Sequence, residues 1–238
     1  MPELCPSLIG PALCQTVDLY CERTSASLLA EPLNAVSNFA FIIAGWLTWR
    51  EFRQRQAPGD DPLLAAIVAI IPIVGIGSLL FHTFGTQWAS WADVIPILIF
   101  MLLYLWLALR RYFAWPSWLS FTAVLAFLVA TLVLEAGVPS QVLWGGAMYL
   151  PTLAVCAAIV LAPVDWDKRA RRTIGLAVAV FVLSFTFRTL DAPVCDSLPI
   201  GTHFLWHICN AIVLYLLAHA AILHGRGTRP AREDLAVR

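Results

Sequence analysis

Gly201-Thr-His-Phe-Leu-Trp-His-Ile-Cys-Asn-Ala-Ile-Val-Leu-Tyr-Leu-Leu217 decides how this chain is read. It is a membrane-like apolar segment that opens on two histidines, His203 and His207, four residues apart. On a helix that spacing stacks both imidazoles on one face. Ionisable groups inside the end of a membrane helix are costly unless they have a partner. A divalent metal is such a partner, and imidazole and i,i+4 spacing suit zinc. The plain alternative is an interfacial histidine pair bonded to backbone carbonyls.

The rest of the chain has the same apolar character. Sixty per cent of its 238 residues are hydrophobic and 13% are charged, with a mean hydropathy of +0.79. Soluble domains are not composed this way. Seven apolar stretches recur, at about 33–50, 62–82, 91–111, 117–135, 139–161, 173–190 and 201–224. Each is close to the roughly 20 residues that cross a bilayer core as a helix. The first lies too far into the chain, behind a polar cysteine-bearing stretch, for a cleavable signal peptide. The expected fold is an all-α, integral membrane bundle of seven transmembrane helices. Its parts are an extracytoplasmic segment 1–32, the membrane domain 33–224 and a basic tail 225–238.

Charge sets the orientation. Arg50, Arg53, Arg55, Arg110, Arg111, Lys168, Arg169, Arg171, Arg172, Arg226, Arg229, Arg232 and Arg238 all fall on one side of such a bundle. Positive charge marks the cytoplasm, so the N-terminus is outside and the C-terminus cytoplasmic. Arg23 and Arg188 are the exceptions. Topology accounts for the basic residues, which argues against a nucleic-acid role. Lys168, the one lysine, is in a cytoplasmic loop, so a retinal Schiff base inside a helix is disfavoured. No paired helix interruptions of the transporter kind occur. A ligand receptor without enzymatic activity remains a rival reading.

The topology also gathers the polar residues. Helix two ends Gly77-Ser78-Leu-Leu-Phe-His82, with Ser78 one turn deeper than His82. Helix three opens with Asp93. Both ends lie outside, as do the first turns of helix seven. His82, His203, His207, Asp93 and Ser78 therefore meet at one depth. Three imidazoles leave a fourth zinc position open, the pattern of a catalytic site. Four of the six cysteines, Cys5, Cys14, Cys21 and Cys195, lie on the outer side and suggest disulfides. Cys21–Cys195 with Cys5–Cys14 is the favoured pairing, which sequence does not fix; free thiols are the alternative. Asp18, Glu22 and Glu31 gather carboxylates in the N-terminal segment, where hard oxygen ligands suit calcium. A solvated acidic loop, with Glu31-Pro32 starting a helix, is the simpler account. Asn34, Ser37 and Asn38 share a helix face and read as structural. Tyr149 could reach a polar ligand, and Trp206 stands beside the histidines as a wall. His219 is 12 residues beyond His207, about 18 Å along a helix, too far to share a metal.

Asp18…Cys21-Glu22…Ala30-Glu31…Asn34…Ser37-Asn38, then Ser78-xxx-His82, Asp93, Pro96, Cys195 and His203-xx-Trp206-His207, resemble the alkaline ceramidase family. That family belongs to a superfamily of seven-helix membrane hydrolases that includes the adiponectin receptors. The resemblance spans about residues 17–210. It implies a zinc amidase that cleaves ceramide to a sphingoid base and a fatty acid. His82, His203 and His207 would bind zinc. Asp93 would be the general base and then the acid, and Ser78 would stabilise the oxyanion. Beside these, and from the residues rather than the resemblance, Tyr149 and Trp206 are expected to meet the substrate. Calcium would fall on Asp18, Tyr20, Glu22, Thr24 and Glu31, and the family's cysteine pair on Cys21 and Cys195. The chain departs from the family pattern in that Asp18 stands three residues before Cys21 rather than two. Thr24 replaces an asparagine, and the stretch from Glu22 to Glu31 is about two residues short. A related zinc hydrolase of another lipid amide or ester is the nearest alternative. Fourteen arginines to one lysine suggest a GC-rich genome and a bacterial cytoplasmic membrane; in a eukaryote the ER or Golgi is expected.

Overall fold

The computed structural model describes residues 10–55, 61–139, 142–162 and 167–224. In chain order the helices are α1 (Pro32–Ser37), α2 (Phe39–Arg55), α3 (Pro62–Phe84), α4 (Gln87–Arg111), α5 (Ser117–Gly137), α6 (Leu150–Leu161), α7 (Lys168–Val194) and α8 (His203–His224). Among the described residues there is no strand. Five helices, α3, α4, α5, α7 and α8, are long and apolar enough to cross a membrane. The chain is an all-α, multi-pass membrane bundle.

Two expected helices differ from their sequence reading. The stretch 33–50 breaks at Asn38 into α1 and the 17-residue α2. The cause is local: the Ser37 hydroxyl and the Asn38 amide both donate to Asn34 O, at 2.8 Å each, competing with the backbone ladder. The stretch 139–161 is not one helix either. Leu143–Gly145 and Ala147–Tyr149 are 3-10 turns, and α6 has 12 residues. Leu143 and Trp144 adopt left-handed φ of 56° and 50° beside the Gly145-Gly146 pair, which stops a helix from propagating. Arg188 of α7 donates to the carbonyls of Trp144 and Gly145 left open there, at 2.7 and 3.1 Å. This arginine breaks the charge pattern because it satisfies irregular backbone inside the bundle.

Packing is most extensive between α7 and α8 and between α3 and α4, with α2 lying against both α3 and α8. Phe52, Leu64, Ile67, Ile71, Leu107 and Ala218 are fully buried in the main core. The α3–α4 contact is close because of Gly77: a Cβ there would run into the Ala92 carbonyl. That contact brings Ser78 and Asp93, each next in sequence to these residues, against one another. α5 lies outermost, with Trp118, Phe121, Val129, Leu132 and Val133 exposed, as suits a helix whose solvent is lipid.

The N-terminal segment is strapped over one end of the bundle. Thr16 forms an antiparallel bridge with Thr86, in the turn between α3 and α4. Around it, Val17 N donates to Gly85 O (2.8 Å), and Gln87 N and Trp88 N donate to Gln15 O and Leu13 O (3.0 Å each). Cys21 and Cys195 form the expected disulfide, with Cα atoms 5.2 Å apart. The Cys5–Cys14 expectation involves Cys5, outside the described residues, as is the basic tail 225–238. Cys156 and Cys209 are free.

Candidate metal centre

His82 sits in the last turn of α3, and His203 and His207 in the first turns of α8. All three are buried, and one ligand atom from each lies within 4.8 Å of the others. The ring centroids of His203 and His207 are 4.5 Å apart, and those of His82 and His207 4.7 Å.

Their outer partners assign which nitrogen is free. The Ser37 hydroxyl spends its single proton on Asn34 O. It can therefore only accept from His207 Nδ1, 2.7 Å away. His207 is thus protonated at Nδ1 and presents the Nε2 lone pair. His82 Nδ1 lies 2.5 Å from Glu31 Oε2. Burial alone would push the Glu31 carboxyl up, but the hydrogen bonds of His82 and Asn34 and the charge of Arg23 hold it below its ordinary value. Glu31 is therefore an acceptor, His82 Nδ1 the donor and His82 Nε2 the free nitrogen. That Nε2 and His203 Nδ1 are buried without a hydrogen-bond partner. Unpartnered imidazole nitrogens converging in an apolar interior fit a zinc ion, and a histidine bonded outward to a carboxylate or hydroxyl is how such ligands are oriented.

The start of α8 is braced as well. Asp191, buried at the end of α7, accepts from the amides of Thr202 (2.6 Å) and His203 (2.9 Å), and from Cys21 N (3.0 Å). An anion at a helix N-terminus is electrostatically favoured. Tyr20 stacks on His203, with ring centroids 3.6 Å apart. Burial pushes its phenol up to about 12, so it stays neutral. The strap therefore touches two of the three histidines.

His207, Ser78 and Asp93 line one end of a cavity with about 650 Å³ of empty space. Tyr149 and Trp206 line it too, edge to face with centroids 4.9 Å apart, and the Arg188 guanidinium lies over both rings. Asp93 Oδ1 is buried and has no hydrogen-bond partner. Apart from Thr152 and Asn210 the remaining walls are apolar, among them Phe41, Val74, Ile97, Phe181, Val213 and Leu214. His219 pairs with Glu51 of α2 at 2.8 Å, remote from the centre.

The calcium set does not assemble. Glu31 is engaged with Arg23, Asn34 and His82. The two carboxylate oxygens of Glu22 take the amides of Leu33 and Asn34 in the first turn of α1, at 2.7 and 2.8 Å. Asp18 and Thr24 are exposed, and Tyr20 faces His203. Glu22, Glu31 and Tyr20 are thus engaged as helix cap, partner of His82 and ring stack. Sequence reasoning took Ser37 as structural and gave Arg23 no role. The one signal that pointed to Arg23 and Arg188 was their place on the wrong side of the charge pattern.

A protein-family model described as Ceramidase matches residues 16–233. The chain belongs to the ceramidase family. Ceramidase-like hydrolysis of an amide bond is the activity that family membership supports, and the apolar cavity suits a membrane-embedded lipid. A comparison with curated proteins gives no match.

Proposed function

We propose that this chain is a zinc-dependent amidase that hydrolyses ceramide within the membrane to a sphingoid base and a free fatty acid. The observation that carries the reading is the set of three buried histidines, two of them with Nδ1 bonded outward, placed beside Asp93 at an apolar cavity. His82, His203 and His207 would hold the ion. Zinc supplies Lewis acidity, which polarises a carbonyl and lowers the pKa of water it holds to about 7. Asp93 takes the proton of the attacking water and hands it to the amine as the C–N bond breaks. The Ser78 hydroxyl donates to the developing oxyanion. Trp206 and Tyr149 wall the reacting end, and the hydrocarbon lies among the apolar helices.

Counting α2 and the 142–161 segment with the five long helices gives seven spans. Arg50, Arg53 and Arg55 on α2, Arg110 and Arg111 ending α4, and Lys168 starting α7 would face the cytoplasm. The histidines then lie near the outer interface, covered by the N-terminal segment, and substrate enters sideways from the outer leaflet. The arginine-rich composition fits a bacterial cytoplasmic membrane.

The test is mass spectrometry of products from a ceramide panel, with zinc content measured on the same protein. Wild type should hold about one zinc and release sphingoid base and fatty acid. Asp93→Ala should keep its zinc and lose at least about 100-fold in rate, the usual scale of general acid–base catalysis. His203→Ala should lose both. A folded, zinc-loaded wild type that leaves every ceramide intact would end the ceramide reading and send the search to ester lipids.

A further inference from the structure

The place where the family pattern implies calcium already holds a buried positive charge. Arg23 is 4% exposed. Its Nε donates to Glu31 Oε1, its Nη2 to His82 O at 3.1 Å, and its Nη1 to Ser25 O at 3.4 Å. One carboxylate and two carbonyls converge on it. These are the oxygen donors a loop offers to a hard cation, and here they surround a guanidinium.

The surroundings are shaped to this side chain. Gly85 ends α3 in a left-handed conformation, φ 57°, three residues after His82. A Cβ there would overlap the guanidinium, standing 2.6 Å from Nη1 and 2.8 Å from Nη2. The strap is fixed on either side of Arg23 by the disulfide at Cys21 and the cap that Glu22 places on α1.

We propose that Arg23 is a built-in cation that stands in for calcium, fixing Glu31 on His82 so that the metal centre needs no second ion. The inference rests on His82 being a metal ligand. Arg23 is a positioning residue: its charge balances the buried Glu31 carboxylate, and Glu31 in turn orients the His82 ring. Without the guanidinium, Glu31 is a buried charge short of a partner, which is a strongly unfavourable state. The vacated oxygens would then suit a divalent cation.

The experiment uses the full chain in lipid nanodiscs, prepared free of calcium. Zinc affinity is read by competition with a chromogenic chelator, and thermal stability is followed as calcium is added to millimolar levels. Wild type should show the same zinc affinity and melting temperature at every calcium concentration. Arg23→Ala should bind zinc about 10- to 100-fold more weakly, the usual loss when the outer partner of a metal ligand is disturbed, and calcium should recover part of it. Arg23→Lys should lie between. A wild type that gains zinc affinity or stability from calcium overturns the proposal, and so does a folded Arg23→Ala that holds zinc as wild type does. If Arg23→Ala does not fold, the wild-type titration and Arg23→Lys still decide. A wild type that holds no zinc at any calcium level sinks the zinc reading instead. The calcium dependence of the melting temperature, in wild type against Arg23→Lys, then decides the role of Arg23 alone.

Discussion

Ser37 has one proton to give, and where it goes decides the chemistry of a residue 170 positions away. Because Asn34 O takes that proton, His207 must donate from Nδ1 and offer Nε2 inward. Ser37→Ala removes the acceptor and frees the ring to take either tautomer. Zinc affinity should fall about 10-fold, the lower end of such losses, by chelator competition. Circular dichroism should be unchanged, because Ser37 is only half-buried and its second bond is local. At this scale the sequence was informative about the ligands and silent about their supports. His203 and His207 announced themselves by a four-residue spacing, and Ser78 and His82 did likewise. Glu31 and Asp191 did not. Glu31 meets His82 51 residues away, and Asp191 meets His203 N 12 residues away across a helix break; an isolated acid carries no mark of such an acceptor role.

Elements bring the cavity into being. α6 presents Thr152 and Cys156 to α4, and the Thr152 hydroxyl donates to Met101 Sδ at 3.0 Å. Phe100, Met101, Thr152, Cys156 and Leu217 form a wall shared with a second apolar space of about 490 Å³, which continues past Tyr104 and Phe127. On the proposed function, a long hydrocarbon that starts at Asp93 would run along this wall. Cys156→Trp fills it, so turnover of long-chain amides should drop at least about 10-fold while short-chain ones keep most of their rate; one methylene in such a pocket is worth about 1–3 kcal/mol. The product panel reads that ratio directly, and an unchanged ratio would place the chain elsewhere. The sequence located the long helices here because composition alone specifies a span. It missed the irregular stretch before α6 because the Trp144 and Gly145 carbonyls left open there are satisfied by Arg188, 44 and 43 residues away, and periodicity carries no trace of that contact.

For the whole molecule, the positive charges at helix ends predict a single orientation, and Lys168 offers a clean test. It is exposed at the start of α7. A membrane-impermeant amine reagent applied to intact cells should leave Lys168 unmodified by peptide mass mapping, and opening the membrane should expose it. Modification in intact cells would reverse the orientation. The two arginines that defied this charge pattern became the most informative basic residues of the chain, since each is buried against the metal centre or its cavity.

The strap carries one more implication, about time. The three histidines come from α3 and α8, while the side chains bonded to the rings of His82 and His207 come from residues before α2. Cys21 waits across 174 positions for Cys195, and His203 and His207 follow only after that. Every earlier stage of synthesis therefore has Glu31 and Ser37 in place without two of the three histidines. If these histidines hold a metal, its capture is among the last events in the protein's birth, and an interrupted chain, however well inserted, should emerge metal-free.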